Sequence, residues 1–129
     1  MNNVKIFGLA SLALVALPLF GHHGTAVSYD QKKVVQVTGK VKEFLWRNPH
    51  SELFVDGTDA AGNPVTYSLE LGSPNTMAKI GLTRKSFQPG DDVVLEMHPS
   101  FTNPTSGEAV TRKVVVNGKP AVSESQDDK

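Results

Sequence analysis

The chain has 129 residues, enough for one small domain, with 39% hydrophobic and 20% charged residues, a balance typical of a globular protein rather than a disordered one. Its 13 Lys and Arg residues equal its 13 Asp and Glu residues, which argues against nucleic acid or an anionic membrane surface as a partner, because both call for a basic excess. No cysteine is present, so disulfides, thiolate catalysis, zinc–thiolate sites and iron–sulfur clusters are excluded.

Residues 1–21 are typical of a secretory signal peptide. Lys5 supplies the positive charge, and the apolar run 6–20 follows it. Fifteen residues are short for a membrane span, which needs about twenty, although an uncleaved anchor helix is the alternative. We therefore expect a periplasmic protein that is not inserted in the membrane after cleavage.

The cleavage position decides which residue begins the mature chain. Cleavage after Gly21 makes His22 the new amino terminus. Cleavage after Ala26 has small residues at both recognition positions, Gly24 and Ala26, and discards His22 and His23 together. The sequence leaves both sites open.

The first predicted strand, 34–46, is long and has Gly39 in its middle, where a strand bends or another backbone approaches closely. After Val41 its apolar phase slips by one, which predicts a bulge near residues 42–43. Residues 51–56 and 64–71 alternate with a period of two across a turn at 57–63, and this pattern predicts a hairpin.

The pattern then changes to a short helix. Ser73 is a candidate N-cap with Pro74 in the first helical position, and Gly81 offers a stop. Two further strands are predicted at 92–98 and 108–116, and a polar, disordered tail at 121–129. Three strands, a short helix and two strands follow the order of an OB-fold, so we predict an all-β, five-stranded OB-like barrel as a single domain over 22–120. A small open β-sandwich is the alternative.

Several strings are similar to a family of small exported proteobacterial proteins that is known only as a domain of unknown function. They are the His22-His23 pair after the apolar run, Tyr29-Asp30, V-T-G-K-V at 37–41, F-L-W-R-N-P-H at 44–50, and P-G-D at 89–91. The resemblance implies an exported, single-domain β protein without an established activity, with the double histidine opening the mature chain. The chain departs from the family in having Gly21 where Ala is usual and Ser68 where a second Trp is expected.

With no cysteine, a transition-metal site must be built from the four histidines, His22, His23, His50 and His98, with carboxylates such as Glu70 in support. An amino-terminal His can chelate one ion through its α-amine and its imidazole together. A second imidazole would complete a three-nitrogen set that suits Cu(II). In an OB-fold the amino terminus emerges near the end of the fourth strand, so we expect His22 and His23 to approach His98. The predicted metal is copper, with His50 as a further candidate ligand.

The alternative is a non-catalytic OB-type module in which the histidines are incidental. It would bind a small molecule, glycan or partner protein through a face formed by four residues, namely Trp46, Asn48, His50 and Glu70. The plainer interpretations are a solvated stub for the terminal histidines, a turn residue for His50 and an exposed strand end for His98. The chain has no G-x-S-x-G, H-E-x-x-H or phosphate-binding glycine loop, so we expect no enzymatic activity.

Overall fold

The computed structural model describes residues 28–122. This part of the chain forms six strands and one short helix, and none of its helices is long and apolar enough to cross a membrane. The elements are β1 (Val35–Leu45), β2 (Glu52–Thr58), β3 (Pro64–Glu70), α1 (Pro74–Lys79), β4 (Asp92–Pro99), β5 (Ser106–Val116) and β6 (Lys119–Pro120).

The strands form one closed barrel. Their order is β3-β2-β1-β4-β5-β6, and these neighbours pair antiparallel. A parallel pairing of β3 with β5 joins the two ends of the sheet, so β1 to β5 close on themselves and β6 is added at the side of β5. The predicted OB-like barrel is confirmed, and the open β-sandwich is not the fold that forms.

The core follows from the alternation of apolar residues along the strands, as the period of two predicts. Each of β1 to β5 supplies inward residues, the connection between β3 and α1 adds one, α1 adds one, and the segment between α1 and β4 adds two more. The buried core residues are Val37, Val41, Leu53, Val55, Tyr67, Leu69, Leu71, Met77, Leu82, Phe87, Val93, Leu95, Met97 and Val114.

The long first strand bends as expected. The register of β1 against β2 shifts between Val41 and Glu43, which confirms the predicted bulge. Gly39 lies where a Cβ atom would come within 2.1 Å of the Asp56 carbonyl oxygen on β2. The backbones therefore approach each other at a point where no side chain fits.

The helix ends are also as predicted. The Ser73 hydroxyl oxygen accepts a hydrogen bond from the Thr76 amide at 3.3 Å, and Pro74 occupies the first turn. The helix stops at Ile80, and Gly81 follows with a positive φ of 90°, a conformation that glycine adopts without strain.

The structure corrects the carboxyl-terminal part of the prediction. Strand β5 begins at Ser106 rather than at residue 108, and β6 was not predicted. Ala121 and Val122, which the sequence analysis assigned to the disordered tail, pack partly buried against the core, and the Ala121 amide donates to the Val114 carbonyl at 2.8 Å. The predicted signal peptide 1–21 and the remainder of the predicted tail, 123–129, lie outside the described residues.

We predict that Gly39→Ala lowers the free energy of unfolding by about 2 kcal/mol or more, because its methyl group must displace the β2 backbone. Thr38→Ala is the matched control, since Thr38 is exposed on the same strand and its change should stay within about 0.5 kcal/mol. Urea unfolding of the two variants measures both effects. Equal midpoints for the two would contradict this account of the bend.

Candidate functional site

Four polar residues stand side by side across the outside of the barrel, and we call them the outward row: Glu52, Glu70, Glu108 and His98. Glu52 is the register partner of Glu70, Glu70 of Glu108, and Glu108 of His98. Register partners point to the same face of a sheet. The row thus crosses β2, β3, β5 and β4 in turn, just outside the buried layer.

Three adjacent carboxylates repel one another unless neighbours compensate them. Arg47 pairs with Glu52 through its guanidinium group. Nδ1 of His50 lies 3.3 Å from Oε1 of Glu70, which makes an ion pair when the imidazole is protonated. The side chains of His50 and Glu70 are both partly exposed, so this pair contributes little to stability by itself.

The segment 29–33, which we call the N-terminal strap, crosses the outward row. The Tyr29 hydroxyl donates to Oε2 of Glu70 at 2.7 Å, and Nε2 of Gln31 donates to Oε2 of Glu108 at 2.8 Å. The backbone is tied to the end of β4 by the Asp30 amide, which donates to the Pro99 carbonyl at 2.8 Å, and by a bridge between residues 29 and 100. The described chain thus begins beside the end of the fourth strand, as the OB-fold predicted.

His98 is held by the same strap. Its Nδ1 lies 2.8 Å from the carbonyl oxygen of Lys33. A carbonyl oxygen only accepts, so Nδ1 carries the proton and, in the neutral imidazole, Nε2 keeps its lone pair. Within residues 28–122, Nε2 has no protein partner. Met97 on the same strand is fully buried, which agrees with the expectation that the two side chains face opposite ways.

A cleft of about 210 Å³ lies beside the outward row, where β3 ends and β5 continues. Two carboxylates reach it, and only Glu70 has an ionisable cationic partner, His50, in the described part of the chain. The other carboxylate, Glu108, is bonded to the uncharged amide of Gln31. The lining residues are His50, Glu70, Leu71, Gly72, Glu108, Ala109 and Thr111.

The structure brings some of the predicted site residues together and separates others. His50 and Glu70 are in contact, and His98 stands on the same outward row, separated from β3 by β5. In residues 28–122, no group of three His, Cys, Asp or Glu side chains is arranged to hold a metal ion. His22 and His23 lie outside the described residues.

The two remaining predicted residues lie apart from the cleft. Trp46 is half-buried against the core and meets Phe44 edge to face, with ring centroids 5.9 Å apart. Asn48 is exposed on the β1–β2 loop. Neither residue lines the cleft.

Sequence analysis gave no site role to three residues of the strap and the cleft, namely Tyr29, Gln31 and Glu108, although Tyr29 belongs to one of the strings that resemble the family. Tyr29 and Gln31 precede the first strand, where no periodic pattern assigns them a face. Glu108 was placed on the fifth strand, but its position next to Glu70 depends on the parallel β3–β5 pairing. That pairing joins residues far apart in the chain and leaves no local signal.

Burial, the hydrogen bond to Glu70 and the negative charges of the three glutamates raise the pKa of Tyr29 well above its usual value. As pH rises, the Tyr29 hydroxyl therefore ionises at a lower pH in the unfolded chain than in the folded protein. The stability that Tyr29 contributes is present below about pH 10, the ordinary tyrosine pKa, and is lost progressively above it.

We predict that Tyr29→Phe costs about 1 kcal/mol of unfolding free energy at pH 7 and flattens the fall in stability above pH 10. Tyr67→Phe is the matched control, because it removes a hydroxyl that donates to the Thr58 carbonyl at the same 2.7 Å and leaves Tyr29 in place. Urea unfolding between pH 7 and 11 measures both. If the unfolding free energy of Tyr29→Phe falls above pH 10 as steeply as that of the wild type, Tyr29 is not the group whose ionisation causes the fall.

Comparison with known proteins adds the family but no activity. No curated protein and no solved structure matches the chain significantly. A family model described as a family of unknown function (DUF6152) matches residues 9–111, which is most of the chain. The chain therefore belongs to this family of unknown function, DUF6152, and its described part is a small OB-like β-barrel.

Proposed function

We propose that the chain is an exported, periplasmic protein that binds one copper ion and performs no catalytic step. Its ligands are the α-amine and imidazole of His22, after cleavage behind Gly21, and Nε2 of His98. His23 is the competing donor. The apolar run 6–20 behind Lys5 supports export, and nitrogen ligands of this kind suit Cu(II).

The observation that carries the proposal is the hydrogen bond between His98 and the Lys33 carbonyl. Histidines that ligate metals commonly donate their other ring N–H to a backbone carbonyl or a carboxylate, which fixes the tautomer and the ring orientation. Nδ1 of His98 makes this bond at 2.8 Å. Nε2 is left with a lone pair, as a ligand requires.

The path of the chain supports the same site. Tyr29 pairs with Ser100, two residues beyond His98. Six Cα-to-Cα steps lead from His22 to residue 28, and six steps span at most about 20 Å when the chain is fully extended. The covalent chain is therefore long enough for His22 to meet His98.

The local charge of the outward row agrees with a cationic ligand. The outward row carries three carboxylates beside one histidine. A cluster of carboxylates attracts cations and repels phosphate groups. Nucleic acids, which OB-folds elsewhere commonly bind, carry such phosphates. Nucleic acid is thus not the proposed partner.

We predict that native mass spectrometry of the protein purified from periplasm finds a chain that begins at His22 and takes up one Cu(II) at sub-micromolar concentration. A chain that begins at Val27 is the matched control, because it keeps the described barrel and lacks both terminal histidines. A periplasmic chain that itself begins at Val27 would overturn the proposal. So would a chain from His22 that holds copper no better than free histidine.

The same preparation tests the third ligand. His98→Ala should raise the copper Kd at least about 10-fold, since even the partners behind metal ligands contribute that much. His50→Ala should leave the copper Kd unchanged. His50 lies on the β1–β2 loop and contacts Glu70 on β3, whereas His98 lies on β4. Circular dichroism checks that both variants fold, and a His98→Ala affinity equal to that of the wild type would exclude His98 as a ligand.

The cleft beside the outward row favours a second candidate, a non-catalytic site for a small cationic molecule. Glu108 has no cationic partner in the described part of the chain, and an ammonium or guanidinium group would supply one. The apolar residues Leu71 and Ala109 line the same space. This candidate replaces the predicted Trp46 and Asn48 face with the cleft at His50, Glu70 and Glu108.

We predict that n-butylamine, and not n-butanol, shifts the amide resonances of Leu71 and Ala109, and that Glu108→Gln abolishes the shift. Glu96→Gln is the control, since Glu96 lies on β4 away from the cleft. Equal shifts with the amine and the alcohol would contradict a charge-based site.

A further inference from the structure

We propose that the edge of β5 beside the cleft binds an extended peptide in which apolar and basic residues alternate. The peptide pairs with β5 as an added strand and places one Lys or Arg side chain against Glu108. This inference rests on the second candidate of the proposed function, the cation site at the cleft, and it is independent of the copper site.

Strand β5 has a gap in its strand pairing on the side of the cleft. β3 pairs with this side over residues 106–108, and β6 pairs with it over Val115 and Val116. β4 takes the opposite side at both ends of β5. Within the described range 28–122, no strand pairs with residues 109–113 on the cleft side. A strand edge without a neighbour offers backbone N–H and C=O groups to which an extended peptide can add.

The gap opens because β3 leaves β5 at Glu70. The chain that follows stays with the segment leading into β2. The Leu71 amide donates to the Ser51 carbonyl at 2.8 Å, and the Ser51 amide donates to the Gly72 carbonyl at 3.0 Å. Strand β5 meanwhile continues to Val116. The cleft of about 210 Å³ lies where these two backbones separate.

The cleft has an apolar wall and an acidic wall, which suit the two faces of a single strand. Leu71 is buried and Ala109 packs partly buried against the core, so these residues form the apolar wall. Glu70 and Glu108 belong to the outward row and form the acidic wall. Successive side chains of a strand point to opposite faces. A strand inserted here therefore needs apolar residues on its inner face and a basic residue on its outer face, in alternation.

Glu108 is the carboxylate with which the basic residue pairs. Glu70 already faces His50 at 3.3 Å. Glu108 accepts from the uncharged amide of Gln31, and it has no cationic partner among the residues that the structure describes. A Lys or Arg side chain of the peptide supplies that charge through a hydrogen bond between ionised groups, which is stronger than a neutral one.

Two basic residues further along β5 limit the position of the peptide. Arg112 and Lys113 are exposed, so a second cation placed beyond Glu108 meets like charge. Like charges on neighbouring strands are unfavourable. A peptide with one central basic residue and uncharged ends therefore fits this edge best.

The probe is the blocked pentapeptide acetyl-T-V-K-V-T-amide, whose two valines share one face of a strand and whose lysine lies on the other. Titration of the amide resonances of residues 109–111 in the mature protein measures its Kd. Nuclear Overhauser contacts between the peptide backbone and these residues report strand pairing. We expect both the contacts and a Kd in the millimolar range or tighter. The same peptide with glutamine in place of lysine should bind about 10-fold more weakly.

Two comparisons separate the side-chain contact from the backbone contact. Glu108→Gln should raise the Kd of the lysine peptide about 10-fold and leave that of the glutamine peptide unchanged. Glu96→Gln on β4 is the matched control and should change neither Kd, with circular dichroism as the check that both variants fold. N-methylation of the three central residues of the peptide removes their N–H donors and should abolish binding.

The other outcomes each decide against a part of the inference. Equal Kd values for the methylated and unmethylated peptides would mean that the lysine side chain binds alone, and strand pairing would be overturned. A Glu108→Gln variant that binds the lysine peptide like the wild type would overturn the role of Glu108. If n-butylamine shifts Leu71 and Ala109 but the peptide does not bind at millimolar concentration, this inference fails and the cation site stands. If neither ligand binds, the second candidate fails with it.

Discussion

The parallel pairing of β3 with β5 is the constraint on which the rest of this structure depends. It spans only three residue pairs, from Ser68 with Ser106 to Glu70 with Glu108. Gly107 lies in the middle of it, where a Cβ atom would come within 2.6 Å of the His98 carbonyl oxygen and 2.7 Å of the Met97 sulfur. A side chain there would push β5 away from β4 at the point where β5 also pairs with β3. Closure then fixes Glu70, Glu108 and His98 as neighbours on the outer face.

The outward row explains why the segment before β1 docks on the barrel. Three adjacent carboxylates are unfavourable on their own, and donors that reach them lower that cost. Arg47 and His50 come from the β1–β2 loop, whereas Tyr29 and Gln31 come from the strap. The carboxylates thus hold the strap, and the strap offers a carbonyl to His98. Electrostatic compensation and orientation of the histidine are two results of the same contacts.

Residue patterns along the chain predicted the elements that depend on local chemistry. The alternation 65, 67, 69, 71 placed Tyr67 and Leu69 inward, the phase slip after Val41 located the bulge, and Ser73-Pro74 located the start of α1. These features follow from side-chain periodicity and capping, which are properties of a few consecutive residues. The OB-like order followed from their sequence along the chain.

The site was less predictable because its contacts join distant residues. His50 and Glu70 were both singled out, yet only β2–β3 pairing and the β1–β2 loop bring them to 3.3 Å. Tyr29 lies 41 residues from Glu70, and Gln31 lies 77 residues from Glu108. No periodic pattern marks such a strap. Glu70 was predicted as a supporting carboxylate or as part of a binding face, and the sequence did not show that the strap and the β1–β2 loop place Tyr29 and His50 against it.

The central claim is that Nε2 of His98 completes a copper site with the amino terminus of the mature chain. Electron paramagnetic resonance of the Cu(II)-loaded chain from His22, compared with its His98→Gln variant, tests this most directly, because nitrogen ligands split the copper signal according to their number. We predict a three-nitrogen pattern in the wild type and the loss of one imidazole nitrogen in the variant. Identical spectra would contradict the account, since copper would then be bound without His98.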